Sequence, residues 1–298
     1  MSDNKIEDSS KRAAKSAAPS NYIFQSFPIK NRALYVWRII AKVLSFVIFG
    51  AGSILISILA LPILTLLFRR TARFNKAARK LISLTFRFFV GVMTLMGIVR
   101  CTIDDKKRIR SLKAGIIVAN HPSLLDIVML ISYVPNADAI VNSYLTGKHI
   151  LSKIVHDLYI PTNISYEEAI RRSVSSLQSG NVLIIFPEGT RSRPEGQNRY
   201  KKGAARIALA SGCPIFPVYI GGNEKLGLRK HDPMFLFNHH DRYRYNLFMK
   251  DAISPRDYKD LPEPAAARRI TRKIRECLCD ENNAANIIDK NPCNPIFK

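Results

Sequence analysis

The run Asn120-His121-Pro122-Ser123-Leu124-Leu125-Asp126 sets an imidazole and a carboxylate five positions apart. Neutral imidazole is a usable base near pH 7. A carboxylate against its other nitrogen fixes the tautomer and stabilises the imidazolium, as in a Ser–His–Asp triad without its serine. On a continuous helix a five-residue spacing would put the two side chains on different faces. With His121 just outside a helix start and Asp126 just inside, the carboxylate can reach back. A second run, Phe186-Pro187-Glu188-Gly189-Thr190-Arg191-Ser192, opens an apolar strand into a Gly-Thr-Arg turn. Glycine lets backbone amides approach an anion, and an arginine fork binds phosphate in two places at once. Glu188 supports this site through a substrate hydroxyl or by positioning Arg191, or else it is a structural ion-pair partner. Lys201 and Lys202 either extend the anion site or form a solvated basic loop. Ser123 reads as a first-turn residue. The catalytic candidates are therefore His121, Asp126 and Glu188. The substrate-binding candidates are Asn120, Gly189, Thr190, Arg191, Lys201 and Lys202.

In this order the two runs resemble the signature blocks of the glycerolipid acyltransferase family, of the lysophosphatidate or lysophospholipid acyltransferase type. The resemblance covers residues 80–250 and includes Lys201-Lys202-Gly203-Ala204 and Cys213-Pro214-Ile215-Phe216-Pro217-Val218. It implies transfer of a fatty acyl group from acyl carrier protein (acyl-ACP) or coenzyme A (acyl-CoA) to the hydroxyl of a lysophospholipid such as 1-acyl-glycerol-3-phosphate. The acceptor would attack directly, with no acyl-enzyme. It also implies that Gly189, Thr190 and Arg191 hold the acceptor's phosphate or head group, that Pro217 helps shape the acyl channel, and that no metal or redox cofactor takes part. One departure bears on the acceptor. The family commonly carries an aromatic-apolar-Asp-Arg stretch between the blocks, whereas this chain has Tyr159-Ile160-Pro161-Thr162-Asn163. Thr162 stands where the arginine would be, and losing a bidentate cation weakens phosphate recognition. The alternatives are an acyltransferase of a specialised lipid pathway, such as polyene lipid assembly, with another hydroxyl or an amine as acceptor, and a non-catalytic membrane scaffold.

The elements that must position these residues alternate. Gly115–Ala119 reads as a strand ending at the Asn-His pair, and Pro122 suits the first position of a helix running to Tyr133. Strands follow at Ala137–Val141, Val182–Phe186, Ile215–Ile220 and Tyr245–Met249. Helices are predicted at Tyr166–Ser179 and Gly203–Ser211, stopped by Gly180 and Gly212. This alternation predicts an α/β domain with a mostly parallel sheet flanked by helices. Active sites in such sheets gather at the strand C-terminal ends, where both runs fall.

An N-terminal membrane-anchoring helical segment precedes this domain. Val43–Phe68 contains no charged residue, and about 20 helical residues cross the hydrocarbon layer. Gly50, Gly52 and Pro62 could bend it, so a re-entrant hairpin in one leaflet stands beside a full span. Basic residues flank both ends and leave orientation open. Residues 69–99 interleave cations with apolar residues, as an interfacial amphipathic helix does. The expected organisation is a disordered basic arm (1–28), membrane-anchoring and interfacial helices (29–99), an acyltransferase domain (100–280) and a flexible tail (281–298).

The net charge of +23 in 298 residues fits an anionic membrane surface better than nucleic acid, because the cations flank apolar runs. The five cysteines are scattered and suggest neither a disulfide framework nor a zinc site. A reducing compartment follows, consistent with a bacterial inner membrane and a cytoplasmic catalytic domain. His239-His240-Asp241 reads as a surface loop rather than a metal site.

Overall fold

The computed structural model describes residues 29–69, 71–141, 159–192 and 199–279. The arm expected at 1–28 and the tail expected at 281–298 lie outside these residues. The chain divides into two compact units, Met1–Trp37 and Arg38–Lys298. The described part of the first is the opening of helix α1 (Ile29–Leu55).

The second unit is a seven-stranded sheet in the order β1-β7-β6-β2-β5-β3-β4. The strands are β1 (Val99–Ile103), β2 (Gly115–Ala119), β3 (Ala137–Val141), β4 (Ile160–Pro161), β5 (Val182–Ile185), β6 (Ile215–Gly221) and β7 (Tyr243–Met249). All neighbours are parallel except β6 and β7, whose antiparallel pairing sets β1 and β7 against the rest. The fold is the predicted α/β class. β2 and β5 are buried along their whole length, as unbroken apolar strands covered on both faces must be. β7 alternates buried with half-buried residues, the pattern of a strand with one wetter face. Helices α4 (Lys106–Ser111), α5 (Asp126–Tyr133), α6 (Tyr166–Gln178), α7 (Gly203–Ser211) and α8 (Glu263–Cys279) surround the sheet. The strands β1 and β4 and the short helix α4 were not legible in the sequence. β4 is only two residues long, and β1 alternates Val-Arg-Cys-Thr-Ile with little apolar signal.

The helix expected from Pro122 begins instead at Asp126. Residues 122–125 form turns because the Asp126 carboxylate accepts the Ser123 amide at 2.6 Å. The Ser123 hydroxyl in turn accepts the Leu125 amide at 3.3 Å. The Asp126 half of this exchange matches a capping box, but the hydroxyl takes the amide of Leu125 rather than that of Asp126.

The apolar segment is helical throughout. α1 leads through a π-helical turn (Ile56–Ala60) into α2 (Leu61–Phe68). Neither Gly50 nor Gly52 interrupts α1. The irregular turn contains Ile58, four residues before Pro62, where the proline ring would meet a carbonyl and the proline offers no N–H. Reversal comes at Arg69, whose φ of 46° is left-handed, and α3 (Ala72–Leu95) then returns alongside. Ser45 lies 3.6 Å from the Met96 sulfur. Phe49 packs on Phe86 and Phe89, and Leu61 packs with Phe74 and Ala78. The helix Arg32–Phe68 is long and apolar enough to cross a membrane by length and composition. The far side of α3 is fastened to the sheet domain: Ser83 Oγ donates to Ile131 O (2.7 Å) and Arg87 Nε to Ser132 O (3.2 Å).

Gly222, at the exit of β6, has φ of +106°, and a Cβ there would lie 1.9 Å from Arg244 O. Gly222→Ala is therefore expected to destabilise the protein by about 3 kcal/mol or more, read as a lowered urea midpoint in detergent solution.

Candidate active site

The site assembles where β2 and β5 end. Asn120 closes β2 against β6: its Nδ2 donates to Ile220 O (3.0 Å) and its Oδ1 accepts Ile220 N (2.7 Å). Its side chain thus extends the sheet ladder by one rung and fixes the direction in which the next residue leaves. His121 follows, partly exposed, with Nδ1 2.8 Å from Asp126 Oδ2. Its ring stacks on Phe186, centroids 4.0 Å apart and 16° from parallel. The stack and the carboxylate hold the imidazole in one orientation.

Asp126 is fully buried. Besides His121 it accepts the Ser123 amide and, at 2.6 Å, the Ser123 hydroxyl. The Ser123 hydroxyl also pairs with Tyr245 OH at 2.7 Å. Behind them lies Lys225, buried, its ammonium 4.8 Å from the centre of the Tyr245 ring and donating to Asn223 O. Burial pushes the Lys225 ammonium down to about 8, against the opposing pull of the Asp126 and Glu224 carboxylates. Burial likewise pushes the Tyr245 phenol well up, with Asp126 adding to the shift. Lys225 thus brings positive charge to a carboxylate that has lost its water.

The second run forms the opposite lip. Glu188 is buried, and its Oε1 accepts the His121 amide (3.1 Å) and the Ser192 hydroxyl (2.8 Å). Ser192 N donates to His121 O at 2.6 Å, and Ser192 Oγ lies within 3.2 Å of the His121 amide. The carboxylate therefore joins the two sequence runs backbone to side chain. Gly189 has φ of +66°, and a Cβ would fall 2.8 Å from both Cε and Nζ of Lys201, so the Lys201 ammonium lies directly over the glycine turn. Lys201 N also donates to Pro187 O at 2.8 Å. Arg191 is anchored through Nη1, which donates to Leu228 O and Arg229 O at 3.0 Å each. Among the described residues, none takes its other guanidinium nitrogens. Thr190 is half-buried in the same turn, and Lys202 is exposed at the opening of α7.

The structure thus brings together Asn120, His121, Asp126, Glu188, Gly189, Arg191 and Lys201. Sequence reasoning missed Ser123, Phe186, Ser192, Lys225 and Tyr245 as members of the cluster. The Ser-x-x-Asp spacing was a usable capping signal for Ser123; nothing local marks Lys225 or Tyr245. Thr162 is exposed just after the edge strand β4. His239-His240-Asp241 borders the N-terminal helical hairpin: Asp241 lies 3.9 Å from the Arg38 guanidinium and accepts from Arg244. Among the described residues no group of three His, Cys, Asp or Glu side chains could hold a metal.

A cation whose folded pKa lies below its unfolded value opposes folding fully at pH below the folded value. That penalty is relieved as pH rises from about 8 toward the ordinary lysine range. Lys225→Met lacks this term. Wild type should therefore gain on the order of 3 kcal/mol relative to Lys225→Met between about pH 7.5 and pH 10.5. Paired urea titrations at the two pH values would show the change, and parallel curves would remove Lys225 from the account.

Residues 100–221 match the Acyltransferase family model. A chloroplast 1-acyl-sn-glycerol-3-phosphate acyltransferase of Brassica napus is 31% identical over 117 residues, 37% of this chain and 33% of that one. A probable 1-acyl-sn-glycerol-3-phosphate acyltransferase of Mycoplasma pneumoniae is 24% identical over 180 residues, 55% of this chain and 66% of that one. These matches span between a third and two thirds of the relatives' lengths. The crystal structure of the 1-acyl-sn-glycerophosphate acyltransferase PlsC from Thermotoga maritima superposes with a TM-score of 0.55 at 22% identity, covering 83% of this chain and 96% of that one. Its likeness is one of fold. Residues 100–221, which contain both signature runs, match the Acyltransferase family model, and over this region the chain is similar to 1-acyl-sn-glycerol-3-phosphate acyltransferases.

Proposed function

We propose that this protein transfers a fatty acyl group from a thioester donor, acyl-ACP or acyl-CoA, to the hydroxyl of a lysophospholipid such as 1-acyl-glycerol-3-phosphate. The observation that carries the reading is the 2.8 Å contact between His121 Nδ1 and a fully buried Asp126 at the end of β2. With Nδ1–H donated to the carboxylate, Nε2 holds the lone pair. The acceptor hydroxyl gives its proton to Nε2 as its oxygen attacks the thioester carbonyl carbon. The C=O electron pair moves to oxygen, then returns as the C–S bond breaks. The departing sulfur takes the proton from the imidazolium, leaving an ester and a free thiol. Asp126 stabilises the imidazolium during the intermediate stage. Gly189, Thr190, Arg191 and Lys201 supply the anion site for the acceptor's head group, and Lys202 adds positive charge at its edge. Glu188 positions the His121 backbone.

The hairpin supports attachment to a membrane surface. α3 packs along the apolar helix and is at the same time hydrogen-bonded to α5. A transverse span would draw Lys76, Arg79, Lys80 and Arg87 of α3 toward hydrocarbon, at a cost of about 2.5 kcal/mol or more per charge at the bilayer centre. Lying in the plane of the surface instead puts exposed Ile54, Ile58, Ile63 and Leu66 into one leaflet while the cations stay at head-group depth. The reading places the catalytic domain on the cytoplasmic face of a bacterial inner membrane.

A second acceptor class is favoured by one observation: an exposed threonine, Thr162, occupies the position where the family commonly has arginine. The acceptor would then be another lipid hydroxyl or an amine of a specialised pathway.

His121→Ala and Asp126→Asn should each lower kcat by about 10³-fold with unfolding midpoints near wild type, measured with labelled acyl-ACP and acyl-CoA on a panel of lysolipids. Retention of wild-type turnover by His121→Ala would rule out the mechanism. Thr162→Arg separates the acceptor classes. If the acceptor is a phosphate monoester, this variant should lower KM for lysophosphatidate by about tenfold. If the acceptor carries no phosphate, KM should stay unchanged.

A further inference from the structure

At the opposite end of the sheet, a cavity of about 1320 Å³ opens between the start of α3, the end of α4 and the C-terminal half of α6. Its walls include Lys113, Asn136 and Asn181, which precede β2, β3 and β5. His121 and Glu188 follow the other ends of β2 and β5. At ~3.3 Å per strand residue the two regions are separated by about 13–17 Å of sheet.

The charge of this cavity is one-sided. Among the described residues six cations line it, Arg73, Lys76, Arg79, Arg110, Lys113 and Arg172, and Asp138 alone is a carboxylate. Asp138 is buried and already engaged by Arg79 (3.2 Å), the Ser176 hydroxyl (2.6 Å) and the Ala139 amide (2.9 Å). Arg172 is engaged by Glu168 at 2.9 Å. The remaining cations lie at the rim with no carboxylate of the cavity to neutralise them. A concave site of this composition selects an anion.

The surroundings identify the kind of anion. Ala72, Arg73 and Phe74 of the cavity wall open α3, directly after the hairpin reversal. Phe74 packs with Leu61 and Ala78, and Tyr159, another wall residue, packs on the same cluster. Just before the reversal, Leu66 is 82% and Leu67 66% exposed. A basic hollow beside an exposed apolar helix end fits an amphiphile with an anionic head and an apolar tail.

We propose that this cavity is a second lipid site, binding the phosphate head group of an anionic phospholipid whose acyl chains lie along the outer ridge of the hairpin. The site is separate from the catalytic one and anchors the tip of the hairpin to anionic membranes. Its occupancy requires no turnover.

The test compares two charge-matched variants of the full chain. Lys76→Glu/Lys113→Glu alters the cavity, and Lys259→Glu/Arg268→Glu alters exposed positions outside it. Both are assayed by flotation with phosphatidylcholine vesicles that contain or lack phosphatidylglycerol. The cavity variant should lose about tenfold or more of its partitioning to phosphatidylglycerol vesicles, and the control less than about twofold. Binding to pure phosphatidylcholine should not change. Equal losses in the two variants would reduce the effect to net charge and overturn the site. Inorganic phosphate titrated calorimetrically at constant ionic strength distinguishes the source of the anion. Saturable binding that the cavity variant lacks would make this a free-phosphate site and overturn the lipid assignment. If the double variant unfolds, Lys113→Gln is compared with Lys259→Gln in the same assay. His121→Ala should float as wild type does, so failure of the catalytic reading leaves this proposal standing.

Discussion

Asp126 is a carboxylate with no solvent exposure, and the arrangement of the catalytic face follows from the cost of placing it there. A buried charge requires its lone pairs to be satisfied and a counter-charge nearby. The chain supplies both from four separate elements: the Ser123 amide and hydroxyl from the turn, the His121 ring from the strand end, Tyr245 from β7 through Ser123, and Lys225 from the loop after β6. The same contacts that make the carboxylate tolerable also set the imidazole. In the proposed reading, structure and chemistry at this point are one constraint, so an uncharged isostere at 126 would disable the base.

That constraint explains why the β6–β7 connection is held so firmly. Leu228 O accepts both the Leu124 amide and Arg191 Nη1, so one carbonyl joins the two signature runs from the side. The connection also reaches the hairpin: Lys42, fully buried, donates to Leu236 O, and a Cβ at Gly227 would meet both that oxygen and the lysine. Lys42 lies over the Phe237 ring, which packs on Tyr243. The helix proposed to meet the lipid is thereby wired to the loop that carries the base's counter-charge. In the proposed reading, this coupling aligns the catalytic face with the surface from which both substrates come.

Much of this was legible from residue order alone. The central strands could be read because each is an unbroken apolar run between turn residues, and the His121–Asp126 contact because its spacing straddles a helix start. What stayed hidden depends on distance along the chain. Tyr245 lies 122 residues from the hydroxyl it pairs with, and Lys225 has no local signal separating it from the basic residues around it. The late start of α5 was hidden for a different reason. Proline propensity at 122 argued for an early start, and a side-chain bond from Asp126 to the Ser123 amide overrode it. That Glu188 accepts the His121 amide was not legible, because a carboxylate that accepts a backbone amide looks in sequence like one that meets a substrate.

Glu188 also bears on where positive charge remains available to an acceptor. Its Oε1 is occupied by the His121 amide and the Ser192 hydroxyl, which ties the turn carrying Arg191 to the first run. Arg191 keeps its place through Nη1 on two carbonyls, so only part of its fork can turn to a ligand. Lys201, crossing the glycine turn, is a point charge on a flexible stem. In the proposed reading, with threonine at 162, a head group would meet one partly committed arginine and one mobile ammonium rather than two rigid forks. Such a pair attracts an anion without fixing its orientation. The acyl-accepting hydroxyl would then be oriented chiefly by the lipid chain and the channel that holds it, which makes discrimination among head groups weaker than discrimination among acyl chains.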